Sequence, residues 1–221
     1  MTNKVDEKIH TFFQQFPGQQ YNKGKLILSA GLQEDHFFFI ETGAVKMTTT
    51  SGKGQNLVLH IFNPRSCFPL LTLVNQNINT YDFVTLTPTI IHKVPQEKVL
   101  AFLQENVDVL FEFQLCMLKG IQGLVHRIEQ SAFVPAYNQV AGLLLYFVGH
   151  FSDHSSPDTK KAIKLRVTHQ EIAAWLGLTR ENVSIQMKQL ERDGFISKKD
   201  KRIEIIDVKK LKNLANPYAV R

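Results

Sequence analysis

The chain has 221 residues, enough for one or two domains with a sizeable core, and its 43% hydrophobic and 21% charged content is that of a globular protein rather than a disordered or fibrous one. The net charge of +6 is uneven: up to Ser152 eleven Lys/Arg balance eleven Asp/Glu, whereas from Asp153 onward fifteen Lys/Arg face nine Asp/Glu, a field that attracts a phosphate backbone. Cys67 and Cys116 lack C-x-x-C spacing and argue against a disulfide scaffold, no apolar run is long enough to span a bilayer, and the polar start Met1-Thr2-Asn3-Lys4 does not read as a secretory signal, so the expected setting is the cytoplasm.

Residues 1–20 predict a short helix with Val5, Ile9, Phe12, Phe13 and Phe16 on its apolar side, stopped by Pro17-Gly18. From Gln20 to about Pro95, short runs rich in Val, Ile, Phe and Thr are punctuated by Gly24, Gly31, Gly43, Gly52, Gly54, Pro64 and Pro88. This is the texture of an all-β barrel or sandwich. Phe37-Phe38-Phe39-Ile40 and the run to Met47 predict two strands turning at Gly43, and Ser51-Gly52-Lys53-Gly54 a hairpin tip. Residues 57–62 and 89–94 predict further strands.

Residues 98–104 predict a short helix, and a long one follows to about Phe133. With Val107, Gln114, Ile121 and Ile128 at a, Leu110, Met117 and Leu124 fall at d, about three heptads of a coiled coil. Gln114 and the glycines Gly120 and Gly123 interrupt the seam, but small residues also let helices approach closely. A dimer helix and a helix buried in its own domain both fit, and the heptads favour the dimer. Pro135 marks a boundary, residues 138–151 predict another helix, and the composition of residues 152–158 predicts a loop.

Residues 168–190 read as helix, turn, helix. Thr168 and Glu171 form a T-x-x-E capping box, and Ile172, Ala173 and Leu176 make an apolar face. Gly177 supplies the positive φ that ends a helix, and Thr179 caps the next. Val183, Met187 and Leu190 at i, i+4, i+7 form a buried stripe, leaving Arg180, Glu181, Ser184, Ile185 and Lys188 exposed. An ordinary αα-hairpin has the same pattern. Two neighbours favour a DNA-binding helix-turn-helix: the basic excess, and two β-prone runs, 195–197 and 203–206, around a charged turn, which form a wing.

This order of β-rich domain, long helix, helix-turn-helix and wing resembles the Crp–Fnr superfamily of bacterial transcription regulators. The resemblance covers nearly the whole chain. It rests on Gly24, Gly31, Phe39, Gly43, Val45 and Lys46 in the β domain, and more specifically on Thr168, Gln170, Glu171, Ile172, Gly177, Thr179, Arg180, Glu181 and Val183. It implies an α+β architecture: a cupin-like β-roll sensor over residues 1–104, a long dimerisation helix over 105–134 and a winged helix-turn-helix over 135–221. It also implies a homodimer on a palindromic duplex site, with RNA polymerase as a further partner. Arg180 and Glu181 match the family's base-reading positions, suited to guanine and cytosine. Ile185 stands where the family usually has a third reader, an Arg, so the half-site should differ from the best-known consensus. Gln170, Ser184 and Lys188 are the expected phosphate contacts.

The sensor departs further from the family pattern. Cyclic-nucleotide binders carry Gly-Glu and Arg-Ser to hold ribose and phosphate. Ungapped alignment of the flanking strands puts Phe68-Pro69 and Asn79-Thr80 there, so cyclic AMP is not expected. Arg65, Cys67, Pro69 and Thr80 are the candidate effector-pocket residues, with Arg65 a displaced source of charge and Cys67 either a packed thiol or a sensor. Two separated cysteines do not make an iron–sulfur site, and His36, His60, His92 and His126 sit in no haem motif.

The expected function is a DNA-binding transcription regulator. An effector-independent regulator and a protein-interaction module using the winged domain are the alternatives. An enzyme is not expected: the chain has no P-loop, G-x-S-x-G, H-E-x-x-H or dinucleotide fingerprint.

Overall fold

The computed structural model describes residues 3–52, 54–73, 78–151, 161–162, 167–199 and 202–215. The chain forms two compact units, divided after Gln122 inside one long helix.

The first unit opens with α1 (Asn3–Phe13) and continues through eight strands: β1 (Gly18–Tyr21), β2 (Leu26–Leu28), β3 (His36–Thr42), β4 (Val45–Thr50), β5 (Asn56–Phe62), β6 (Cys67–Phe68), β7 (Asp82–Thr85) and β8 (Thr89–Pro95). They form two antiparallel sheets, ordered β1-β8-β3-β6 and β2-β7-β4-β5. The helices α2 (Gln96–Glu105) and α3 (Val107–Phe133) follow.

The unbroken run Phe37-Phe38-Phe39-Ile40 is buried throughout because both faces of β3 are covered. Phe38 and Ile40 join Val45, Phe68, Phe83 and Ile91 between the sheets. Phe37 and Phe39 face the other way, with Phe13 of α1, Val94 of β8, and Val99 and Leu103 of α2. Phe13 stacks on Phe39 with ring centroids 4.2 Å apart, and Phe12 on Phe102 at 4.0 Å.

The predicted turn at Gly43 is present, but it is a corner between sheets rather than a hairpin within one: β3 and β4 belong to different sheets. Gly43 has φ +86°, and a Cβ there would sit 2.4 Å from the Pro88 carbonyl oxygen. Both conditions demand glycine. The β4–β5 hairpin closes over the predicted tip, with Thr50 opposite Asn56. Lys53 of that tip lies outside the described residues, as does the predicted loop at 152–158.

The second unit comprises the end of α3, then α4 (Ala136–Phe151), β9 (Lys161–Ala162), α5 (His169–Leu176), α6 (Arg180–Arg192), β10 (Ile196–Lys199), β11 (Arg202–Ile205) and α7 (Val208–Ala215). Its core joins Leu144 and Phe147 of α4 to Ile172 and Ala173 of α5, Val183, Met187 and Leu190 of α6, Ile205 of β11 and Leu211 of α7. Trp175 packs edge-on against Phe147 at 5.0 Å. The sheet order is β10-β11-β9, so the two-stranded wing gains a third strand.

The long helix α3 is predominantly exposed. Val109 is its one fully buried residue, while Met117, Leu118, Ile121, Leu124, Val125 and Ile128 are 42–68% exposed.

Candidate nucleic-acid interface and sensor region

The helix-turn-helix is built by local rules readable in its residues. Thr168 is extended, its hydroxyl accepts from the Glu171 amide at 3.1 Å, and the Glu171 carboxylate accepts from the Thr168 amide at 2.7 Å. This reciprocal box satisfies two amides that a helix start would leave unpaired. Gly177 ends α5 in the left-handed conformation at φ 68°. Thr179 then caps α6, its hydroxyl accepting from the Asn182 amide at 3.2 Å.

Val183, Met187 and Leu190 are fully buried and fix the roll of α6 about its axis. The opposite face therefore presents Arg180, Glu181, Ile185 and Lys188 as exposed side chains, with Ser184 half-buried and Gln170 exposed on α5. Ile185 is 63% exposed, an apolar group in water on an otherwise polar face. No hydrogen bond or ion pair ties the side chains of Arg180, Glu181 or Lys188 to another described residue. These groups are free to meet a ligand without first breaking an internal contact.

Three contacts that no sequence motif signals hold this unit together. The Tyr137 hydroxyl donates to Asp193, the C-cap residue of α6, at 2.5 Å, and Gln189 Nε2 donates to the same carboxylate at 3.0 and 3.1 Å. Arg127 of α3 donates to the Trp175 carbonyl at 3.3 Å, near the C-terminus of α5, where a cation suits the negative end of the helix dipole. In the wing, Ile196 pairs with Ile205 and Lys199 with Arg202; the intervening Asp200 and Lys201 lie outside the described residues.

His169 and Lys198 also flank this face. Partial burial, then the fields of Lys198, Arg180 and Lys188, hold the His169 imidazole below the usual histidine range. His169 carries no motif, and Lys198 is marked in the sequence only as part of a charged run.

In the sensor unit, Phe68 is fully buried, stacked on Phe83 at 4.7 Å and on Phe38 at 5.4 Å, and followed by a cis peptide bond to Pro69. Asn79 is buried as well, but its amide donates to the Ser29 and Tyr81 carbonyls at 2.7 and 2.6 Å and so fixes a turn. Thr80 is exposed. Arg65 is exposed at φ 68°, with its guanidinium 3.2 Å from Asp6 of α1. Burial pushes the Cys67 thiol far above its usual range, which suppresses the thiolate. At the positions aligned with the nucleotide cassette there is neither a carboxylate for a ribose nor a cation for a phosphate. Those residues do not fit a cyclic nucleotide.

Of the histidines, His92 is buried between the Phe16 carbonyl at 2.8 Å and Glu41 at 3.2 Å, and His126 is exposed beside Glu129 at 3.7 Å. His60 packs edge-on against Phe62 at 4.6 Å. Glu34, Asp35 and His36 bring three ligand-type atoms within 4.8 Å of one another, but Lys93 lies 3.6 Å from Glu34 and already offsets its charge.

Two family profiles match. The Crp-like helix-turn-helix domain covers residues 138–214 and the cyclic nucleotide-binding domain residues 18–106. The global nitrogen regulator of Nostoc sp. is 26% identical over 191 residues, spanning 85% of this chain and 84% of that protein. The cAMP-activated global transcriptional regulator CRP of Pasteurella multocida is 20% identical over 205 residues, 92% of this chain and 97% of that one. Among solved structures, the c-di-GMP-responsive global regulator CLP of Xanthomonas campestris superimposes with a TM-score of 0.78 at 17% identity, over 90% of this chain and 98% of that one. A Crp/Fnr-family regulator of Thermus thermophilus does so with 0.71 at 23%, over 90% and 98%.

The chain belongs to the Crp–Fnr superfamily. It is a DNA-binding transcription regulator, in a family of regulators rather than enzymes. No helix among the described residues is long and apolar enough to cross a membrane.

Proposed function

We propose that the protein works as a cytoplasmic homodimer joined along α3, which sets one α6 into each half of a palindromic duplex site. The observation that carries this reading is the stripe Met117, Leu118, Ile121, Leu124, Val125 and Ile128, apolar and exposed along about three turns. Burying such side chains against a second copy gains roughly 25 cal/mol per Å² of apolar surface. A Cβ at Gly120 or Gly123 would meet nothing within 4 Å, so neither glycine is accounted for by packing within the chain. The functional segments are the sensor over 1–104, the dimer helix over 105–134 and the winged domain over 135–221.

In this arrangement Arg180, Glu181 and Ile185 read bases, while Gln170, Ser184 and Lys188 hold phosphates. RNA polymerase is the partner through which the bound dimer would act on transcription. The signal at the β-roll is not cyclic AMP, because Phe68-Pro69 and Asn79-Thr80 offer no charge for it. The relatives named above are described by different signals, so none is carried over. An effector-independent regulator is a second reading, favoured by Phe38, Phe62, Phe68 and Phe83 filling the space between the sheets.

Sedimentation of the intact protein and of an Ile121→Asp/Leu124→Asp variant tests the dimer. Twice the chain mass for the first and a single chain for the second supports it; one chain for both contradicts it. Native mass spectrometry of protein purified from its own cytoplasm tests for an effector, which would appear as added mass.

A further inference from the structure

We propose that Gln114 sets the register of the helix pair: its carboxamide bonds to the same residue of a second copy and holds the two α3 helices parallel and in step. This rests on the dimer proposed above and names the residue that decides which of several possible dimers forms.

Gln114 lies four residues after Leu110, three before Met117 and seven before Ile121, so it shares their face of α3. It is the one polar side chain among the seam positions Val107, Leu110, Gln114, Met117, Ile121, Leu124 and Ile128. Leu110 packs in part against the sensor core, whereas Val107, Met117, Ile121, Leu124 and Ile128 are exposed. Gln114 is exposed with them, and no hydrogen bond joins its side chain to another described residue. Packing within the chain therefore gives this amide no task. A second copy laid along the seam would take it out of water.

What it then meets depends on register. In a parallel pair in step, each seam residue faces its own counterpart across the twofold axis. A carboxamide carries both donors and an acceptor, so two copies of Gln114 satisfy each other. A slip of one heptad sets Gln114 against Val107 or Ile121, and an antiparallel pair sets it against a leucine or methionine. Each alternative buries an amide with no partner, a penalty that the paired arrangement avoids. The apolar residues alone discriminate weakly, because one aliphatic layer resembles the next. Register matters to the proposed function: a slip of seven residues at 1.5 Å each displaces one copy by about 10 Å along the axis. Two recognition helices so offset would no longer match two equivalent half-sites.

The test uses two charge variants of the full chain, Gln114→Glu and Gln114→Lys, one of them carrying an affinity tag. The position is exposed on the single chain, so neither change enters that chain's own core. In sedimentation equilibrium each variant alone should dimerise about tenfold or more weakly than wild type, because like charges meet at the seam. Mixed in equal amounts, the two should recover stable dimers, and the tag should retain mixed pairs well above the random proportion. Gln114→Leu supplies the complementary reading. With spin labels on exposed Cys116, wild type should give one narrow distance between copies, and Q114L a broadened or second distance. Q114E and Q114K that pair no better together than apart overturn the facing of Gln114 on itself. One narrow distance in Q114L, the same as in wild type, overturns its hold on register while leaving the dimer standing. Wild type that sediments as a single chain removes both.

Discussion

The hydroxyl of Tyr137, at the start of α4, donates to Asp193, the residue that closes the recognition helix α6. The bond joins positions 56 residues apart and anchors the end of α6 farthest from Arg180. Tyr137→Phe should cost about 1.5 kcal/mol of stability, the low end of the range for a hydrogen bond to a charged group because the pair is exposed. Its chemical melt should show this as a lower midpoint with an unchanged slope.

The same contact predicts a pH dependence. Burial first, and the Asp193 carboxylate second, raise the Tyr137 phenol above its usual range. A folded-state value above the unfolded one gives stability that is complete below about pH 10, the unfolded value, and lost as pH rises through the folded value. The difference in melting temperature between wild type and Tyr137→Phe should therefore be constant from about pH 7 to 9 and shrink above about pH 10.

Arg180 and Lys188 should fail differently. Arg180→Ala should lose about 1–3 kcal/mol on the selected operator and little on scrambled DNA, because a bidentate base contact carries sequence information. Lys188→Ala should weaken both alike and lower the salt slope by about one. Competitive binding at several salt concentrations distinguishes them; equal losses on both DNAs for Arg180→Ala contradict its role as a reader.

Gly43→Ala should destabilise the sensor unit by more than about 2 kcal/mol, since it combines a left-handed φ with a clash against backbone. Gly31→Ala is the control: φ is +83°, but a Cβ would meet nothing within 4 Å. It should cost about 1 kcal/mol, the strain alone. Comparable melts for the two variants would mean that the Pro88 approach is unimportant.

The cysteines should report burial directly. Cys67 is buried with its thiolate suppressed, whereas Cys116 is exposed on α3. A thiol reagent should titrate one group in the native protein and two after unfolding. Two rapid native reactions would contradict the packed state of Cys67.

What the sequence discloses divides along a physical line. Thr168, Glu171, Gly177 and Thr179 act on backbone within four residues of themselves, so their spacing alone shows the helix-turn-helix. The buried stripe of Val183, Met187 and Leu190 is legible because 3.6-residue periodicity exposes it. By contrast, β1 (Gly18–Tyr21) is a polar segment with no alternation, visible only through its pairing with β8. The pairing that puts β3 and β4 in separate sheets involves β7 and β8, some forty residues on, and no local pattern encodes it. The short helix α7 buries only Val208 and Leu211 among lysines, too few positions to establish a period. At the candidate interface Arg180 and Lys188 stand out by motif, whereas Tyr137 and Arg127 acquire their roles only from the tertiary neighbours that folding brings to them.

The most direct test of a twofold-symmetric, groove-reading regulator is selection of bound fragments from random duplex DNA, followed by sequencing. The expected outcome is one enriched motif of two inverted half-sites, their centres about one helical turn apart. Enrichment of a single unrepeated element, or of none, would contradict it.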